Sequence, residues 1–161
     1  MQINFFVDSD LGDYEAGRAE YEAIWNEDGE RILATLERVS GFAFHEHTIN
    51  AIVFDGRGRS HPLSLRHDLP LDRKRSSLVH ELGHRLLHGR ERKMATSDER
   101  HRFLFLILFD VLVELYGEQF ARETVAWDSR PELKFCYKNI WDEALAFTAE
   151  ERRAEFEKLK K

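Results

Sequence analysis

The spacing of hydrophobic residues changes along the chain and divides it into a mixed first part and a helical second part. Before Leu71, one long helical pattern runs from Asp13 to about Val39, with an interruption near Asp28-Gly29. Alternating or β-branched runs typical of strands occur at residues 2–7, 42–47, 49–54 and 61–66. From Leu71 onward, apolar residues recur every three or four positions. This order predicts an α+β fold in a single domain, residues 1–161, with a leading helix, a small antiparallel sheet and an all-helical C-terminal part.

The last predicted strand, residues 61–66, follows a turn at Asp55-Gly56-Arg57-Gly58 and is expected at the edge of the sheet. An edge strand has unpaired backbone groups and can bind an extended peptide by adding it to the sheet. The same pattern is also that of an ordinary hairpin arm. Both interpretations stay open from the sequence.

The first helix of the second part is well defined at both ends. Pro70 and Asp72 indicate its start, with Asp72 as N-cap, and Gly89 indicates its end. Its buried face is predicted by apolar residues that share one stripe: Leu78, Val79, Leu82, Leu86 and Leu87.

This helix contains the motif H-E-x-x-H, formed by His80, Glu81 and His84. At 3.6 residues per turn, the two histidines lie on the same face and can bind one metal ion. Glu81 lies about 100° around the helix from His80, where it can accept a proton from a zinc-activated water without binding the metal. The motif therefore predicts Zn²⁺ as cofactor, His80 and His84 as ligands and Glu81 as general base. The alternative is an amphipathic helix whose histidines are solvated or hydrogen-bonded within the protein.

A second element has to supply another ligand, because a catalytic zinc usually has three protein ligands and one position for water. Residues Ser97 to about Trp127 predict one long helix with Ser97 or Asp98 as N-cap. Its middle, residues 103–109, is apolar on every side and is expected to be buried.

Asp110 and Glu114 lie four positions apart in this apolar helix. A buried carboxylate needs a cation, a hydrogen-bonding partner or a metal. We expect one of the two to be the third zinc ligand, Asp110 first, and the other to orient a ligand histidine. Alternatively, both pair with Arg or Lys side chains such as Arg85 or Arg102, or face the solvent.

The residues around the motif also have a recognisable order. Arg73-Lys74-Arg75 precedes it, and Leu86-Leu87-His88 follows it. This arrangement resembles the zinc helix of the ImmA/IrrE-type metallopeptidases, over about residues 71–89. The resemblance implies a gluzincin-like zincin fold, ligands His80 and His84, catalytic Glu81 and an acidic ligand downstream. The acidic-Ala-Asn-x-Phe-Ala stretch and the Leu-Leu-Met-Pro ending of that family are absent here.

These features predict a zinc-dependent metallopeptidase that hydrolyses a peptide or protein substrate with Glu81 as general base. The competing hypothesis is a non-catalytic, zinc-binding regulatory or interaction protein of the same fold. A structural zinc has four protein ligands, so the number of ligands distinguishes the two.

Charge and cysteine content narrow the remaining possibilities. The net charge of −6 argues against a nucleic-acid binder, and the basic runs at 73–75 and 158–161 are interpreted as solvated helix faces. No apolar run is long enough to span a membrane. The single cysteine, Cys136, is expected to be a buried thiol, and with no signal-peptide pattern we expect a cytoplasmic location. The sequence does not predict the oligomeric state.

Two shorter helices are predicted at the end of the chain. After Pro131, an amphipathic helix is indicated by Phe135, Tyr137, Ile140, Trp141, Ala144, Leu145 and Phe147. Thr148 and Glu151 then form a capping box for a final charged helix.

Overall fold

The first part of the chain forms a β-α-β unit. In the computed structural model, which describes residues 1–8, 14–133 and 136–161, β1 (Gln2–Val7) is followed by α1 (Glu15–Ser40) and β2 (Thr48–Phe54). The two strands are parallel, in register from Gln2 opposite Thr48 to Val7 opposite Val53. Parallel neighbours need a crossover connection, and α1 provides it. The helix start predicted at Asp13 lies outside the described residues.

Two further strands complete a mixed sheet. β3 (Arg59–Ser60) and β4 (Leu63–Arg66) give the order β1-β2-β4-β3. β4 is parallel to β2, and only β3 and β4 are antiparallel. The predicted antiparallel sheet is therefore wrong, because the helical crossover returns the chain in the same direction. The prediction that 61–66 is the edge strand is also wrong, since β3 lies on the outer side of β4.

Two local predictions in this part fail for reasons visible in the hydrogen bonds. Residues 42–47 form no strand, because the Phe44 N–H donates to the Glu37 carboxylate (2.8 Å) rather than to a neighbouring strand. α1 continues through Asp28-Gly29 without interruption. There, the Asp28 carboxylate accepts a hydrogen bond from Arg31 (2.5 Å), and Gly29 lies close to the ring of Trp25.

One face of the sheet is buried and the other is partly exposed, as the alternating pattern predicts. α1 packs against β1 and contributes Tyr21, Ile24, Ile32 and Leu36 to the core. The buried side chains from the strands are Ile3, Phe5, Ile49, Ala51, Val53, Leu63 and Leu65.

The helix α2 (Leu71–Glu91) follows the sheet and ends two residues beyond the predicted stop at Gly89. The chain groups into two compact units, residues 1–86 and 87–161, so α2 begins in the first and ends in the second. A single domain over residues 1–161 stays a prediction.

The second unit is helical. α3 (Ser97–Tyr116) packs against α4 (Glu118–Asp128), α5 (Lys138–Leu145) and α6 (Ala149–Lys160). Residues 103–109 of α3 are all buried, as predicted. In the described part of the chain, six helices and a four-stranded mixed sheet make an α+β fold.

The predicted helix 97–127 is in fact two helices. Gly117 separates α3 from α4 with φ +88°, a backbone conformation that glycine adopts and other residues avoid. The N-cap of α3 is Thr96 rather than Ser97 or Asp98, and Thr96 forms a capping box with Glu99. The predicted capping box of Thr148 and Glu151 is confirmed at the start of α6.

Two surface predictions need correction. Cys136 is exposed and precedes α5, so it is not a buried thiol, and Phe135, the first residue of the predicted amphipathic helix, lies outside the described residues. In the basic run, Arg73 and Lys74 are buried, and the Lys74 ammonium pairs with Glu20 of α1. None of the helices in the described part of the chain has the length and apolarity needed to cross a membrane.

Candidate metal centre

The apolar face of α2 fixes the orientation of the H-E-x-x-H motif. Its predicted stripe is buried along its whole length: Leu78, Val79, Leu82, Leu86 and Leu87. With this stripe packed into the core, His80 is half-buried and His84 is only 7% exposed. Their ring centroids are 4.8 Å apart with the planes at 64°, so the two imidazoles are neighbours, as the spacing predicts.

Glu81 extends towards the turn between β2 and β3. A Cβ atom built on Gly58 would lie 2.8 Å from Oε1 of Glu81 and 3.5 Å from the carbonyl oxygen of Ser64. The carboxylate is also close enough to Tyr21 to affect its phenol: burial raises the pKa of Tyr21, and the negative charge of Glu81 raises it further. Glu81 therefore occupies a defined position beside the turn.

The elements that face Glu81 are held by polar contacts of their own. The Tyr21 hydroxyl donates to the carbonyl oxygen of Arg66 at the end of β4 (3.0 Å). Arg85, one turn after Glu81, donates to the carbonyl oxygen of Ser60 in β3 (2.6 Å) and to the carboxylate of Glu46 (2.8 Å). The Tyr21 bond therefore connects β4 to α1, and the Arg85 bonds connect α2 to β3 and to the loop before β2.

His101 lies in the first turns of α3, and the sequence pattern predicts no role for it. It is 5% exposed, and its Nδ1 lies 2.7 Å from the carbonyl oxygen of Ser97. A carbonyl oxygen only accepts, so Nδ1 carries a hydrogen. The ring stacks on Tyr137 with centroids 4.5 Å apart and meets the edge of Phe105 at 5.8 Å. The ring of His101 is therefore held in a fixed orientation.

Three histidines form the group of potential ligands found among the described residues. One imidazole nitrogen from each of His80, His84 and His101 lies within 4.8 Å of the other two. Zinc binds imidazole nitrogens at about 2.0–2.1 Å, and three such ligands leave one position open in a tetrahedral site. The donor type and number therefore suit a catalytic zinc.

The two carboxylates expected as ligands have other surroundings, and neither belongs to this group. Asp110 accepts two hydrogen bonds from the guanidinium of Arg152 in α6, at 2.5 and 3.1 Å. This is the ion-pair alternative considered from the sequence, although the partner is Arg152 and not Arg85 or Arg102. Glu114 is exposed.

A signal for His101 was present in the sequence. It lies four positions before Phe105, at the start of a segment that is apolar on every side, so burial of its ring could have been predicted. The spacing along one helix could not identify a ligand from outside α2.

Glu91, near the end of α2, is a buried acid that the sequence analysis did not single out. It is 4% exposed, and burial raises its pKa from 4.5 to about 8, although the positive charges of Arg100 and His88 act in the opposite direction. Glu91 is therefore mostly protonated at neutral pH. It is not part of the histidine group.

Comparisons with protein-family models, with curated proteins and with solved structures found no match to this chain. The functional argument therefore depends on the residues of the site.

Proposed function

We propose that this protein is a zinc-dependent metallopeptidase of zincin-like fold, with His80, His84 and His101 as zinc ligands and Glu81 as general base. The observation that carries the proposal is the group of three imidazoles, two of which belong to the H-E-x-x-H motif. The proposed third ligand, His101, takes the place of Asp110 or Glu114. It also differs from the acidic third ligand that the family resemblance implies.

The chemistry of the three donors fits zinc. Imidazole binds Zn²⁺ through a neutral nitrogen, and ligand histidines usually donate their other N–H to a carbonyl or carboxylate oxygen. His101 has the second of these features, because its Nδ1–H is held by the Ser97 carbonyl oxygen, and its Nε2 would be the nitrogen that binds zinc. His84 is buried, so its ring is shielded from bulk water.

A bound Zn²⁺ would polarise the carbonyl of the scissile bond and lower the pKa of water towards neutrality. Glu81 is the residue of the motif that can act as a base, because it follows His80 directly and its carboxylate lies beside the Gly58 turn. It accepts a proton from the attacking water and delivers one to the leaving amine.

The number of ligands supports catalysis over a purely structural zinc. The group found among the described residues has three members, whereas a structural zinc has four protein ligands. A peptide or protein substrate and a cytoplasmic location are part of the same proposal. They follow from the motif and from the cysteine content, respectively.

The proposal is tested by measuring zinc in the purified protein and in single variants. We expect about one zinc per chain in the wild type and at least a tenfold loss of affinity in His80→Ala, His84→Ala and His101→Ala. Glu114→Gln, at an exposed carboxylate, is the matched control and should keep its zinc. Glu81→Gln should also keep zinc but lose cleavage of a mixed peptide library. A wild type without zinc would refute the proposal, and full zinc binding by His101→Ala would refute the third ligand.

A further inference from the structure

We infer that Gly58 is a positioning residue for Glu81: the side chain it lacks leaves the space that the Glu81 carboxylate occupies. The inference rests on the proposed function, in which Glu81 is the base. Gly58 lies in the turn between β2 and β3, directly before Arg59, and it is half-buried.

The requirement for glycine here is spatial. Among the described glycines, only Gly41 and Gly117 have positive φ, so the backbone of Gly58 is one that an alanine can adopt. A Cβ on Gly58 would nevertheless lie 2.8 Å from Oε1 of Glu81, where ordinary contacts begin near 3.4 Å. An alanine therefore requires the carboxylate to move by about 0.6 Å or more.

The carboxylate, rather than the backbone, has to give way. Leu78 and Leu82 next to it on α2 are completely buried, so the helix cannot shift easily. On the other side, Arg85 holds β3 against the same helix through the carbonyl oxygen of Ser60 (2.6 Å). The clashing atom is the terminal oxygen of a side chain with three rotatable bonds, so rotation about these bonds can relieve the clash.

A substitution at Gly58 can therefore move the Glu81 carboxylate without moving α2 or β3. A methyl group at residue 58 should leave the fold and the histidines in place and displace only the base. Proton transfer requires the base within hydrogen-bonding distance, and a misplacement of about 1 Å can lower a rate by about a hundredfold.

The test compares Gly58→Ala with Gly89→Ala. The control adds the same methyl group to α2 at a glycine where a Cβ meets nothing within 4 Å. For Gly58→Ala we expect unchanged zinc content, a melting temperature within about 3 °C of the wild type, and a kcat lowered about 10- to 100-fold at nearly constant KM. Gly89→Ala should keep the wild-type kcat. Crystal structures of both metal-free proteins should show a displaced Glu81 carboxylate only in Gly58→Ala.

A wild-type kcat in Gly58→Ala, or an unmoved carboxylate in its crystal structure, would overturn the inference. Loss of zinc together with loss of activity would also overturn it, because the methyl group would then be disturbing the ligands. If the wild type proves to have no zinc and no peptidase activity, the proposed function fails separately. The metal-free crystal structures then decide alone whether Gly58 provides the space for Glu81.

Discussion

Replacing Asp110 with Asn distinguishes a structural ion pair from a metal ligand. The Asp110 carboxylate accepts hydrogen bonds of 2.5 and 3.1 Å from Arg152, whose side chain is only 7% exposed, while that of Asp110 is 32% exposed. Asn has nearly the same shape but no charge. In the variant, Arg152 keeps its bond to the carbonyl oxygen of Phe147 (2.8 Å) and its place 5.4 Å from the centre of the Phe109 ring.

The loss of stability follows from the burial of Arg152. Removing one partner of a buried ion pair destabilises a protein by about 3–5 kcal/mol, because the other charge is left without compensation. Since about a third of Asp110 is exposed, water screens part of the interaction, and we expect about 2–3 kcal/mol. For a chain of this length, that lowers the melting temperature by roughly 4–12 °C.

Urea denaturation followed by circular dichroism measures this loss, and zinc analysis of the folded variant measures the metal. The control is Glu143→Gln, which breaks a similar pair with Arg102 (2.6 and 3.3 Å) whose side chains are 53% and 46% exposed. An exposed pair contributes about 0–1 kcal/mol, so the control should lose much less stability. Equal losses in the two variants would refute the argument from burial. A folded Asp110→Asn variant without zinc would show that Asp110 is a ligand.

Two further predictions concern stability. The pKa of Glu91 is about 8 in the folded protein, above its ordinary value of 4.5, so the unfolded chain loses this proton at a lower pH and Glu91 lowers the stability of the fold as the pH rises from about 5 to 8. Glu91→Gln should therefore become more stable relative to the wild type over that range. Urea denaturation of both proteins at pH 5 and pH 8 measures this difference. If the difference in unfolding free energy between variant and wild type were the same at both pH values, burial would not raise the pKa of Glu91. Gly117→Ala forces a residue with a side chain into a φ of +88° and should lower the free energy of unfolding by about 1–3 kcal/mol. Gly89→Ala lies inside α2 with open space around it and should raise the free energy of unfolding by about 0.5–1 kcal/mol. Thermal melts of both variants measure these opposite shifts, and a stable Gly117→Ala would show that the break between α3 and α4 does not need glycine.

The features that the sequence predicts well are those decided by neighbours along the chain. The buried stripe of α2, the apolar core of α3 and the capping box at Thr148 all depend on residues within one or two turns. β1, β2 and β4 were also expected near their observed positions, because alternation and β-branched residues are local signals.

The sequence pattern does not predict the direction in which strands pair, or the side-chain hydrogen bonds that replace strand pairing. Alternation in β1 and β2 is the same for parallel and antiparallel neighbours, so the pattern could not indicate the parallel pairing. The segment 42–47 alternates like a strand, but the Glu37 carboxylate binds the backbone N–H of Phe44. The apolar pattern predicts a helix that continues through Gly117, although the backbone conformation of this glycine ends α3.

The candidate site divides in the same way. The proximity of His80 and His84 could be predicted because one turn of helix brings the two rings together. Asp110 was predicted to be a ligand because a carboxylate in an apolar helix needs a partner, and the structure does pair it with a cation. The partner is Arg152, which is 42 residues away in the sequence and cannot be identified from spacing.

The central place of α3 in the second unit has a consequence for synthesis of the chain. Phe103 stacks on Phe156 with ring centroids 4.6 Å apart, and Phe105 stacks on Trp141 at 4.0 Å. A ribosome makes residues 103–109 well before either of these partners, so a nascent chain exposes seven consecutive apolar residues until α5 and α6 emerge. Until those helices form, this segment is therefore expected to be prone to aggregation and to engage a chaperone.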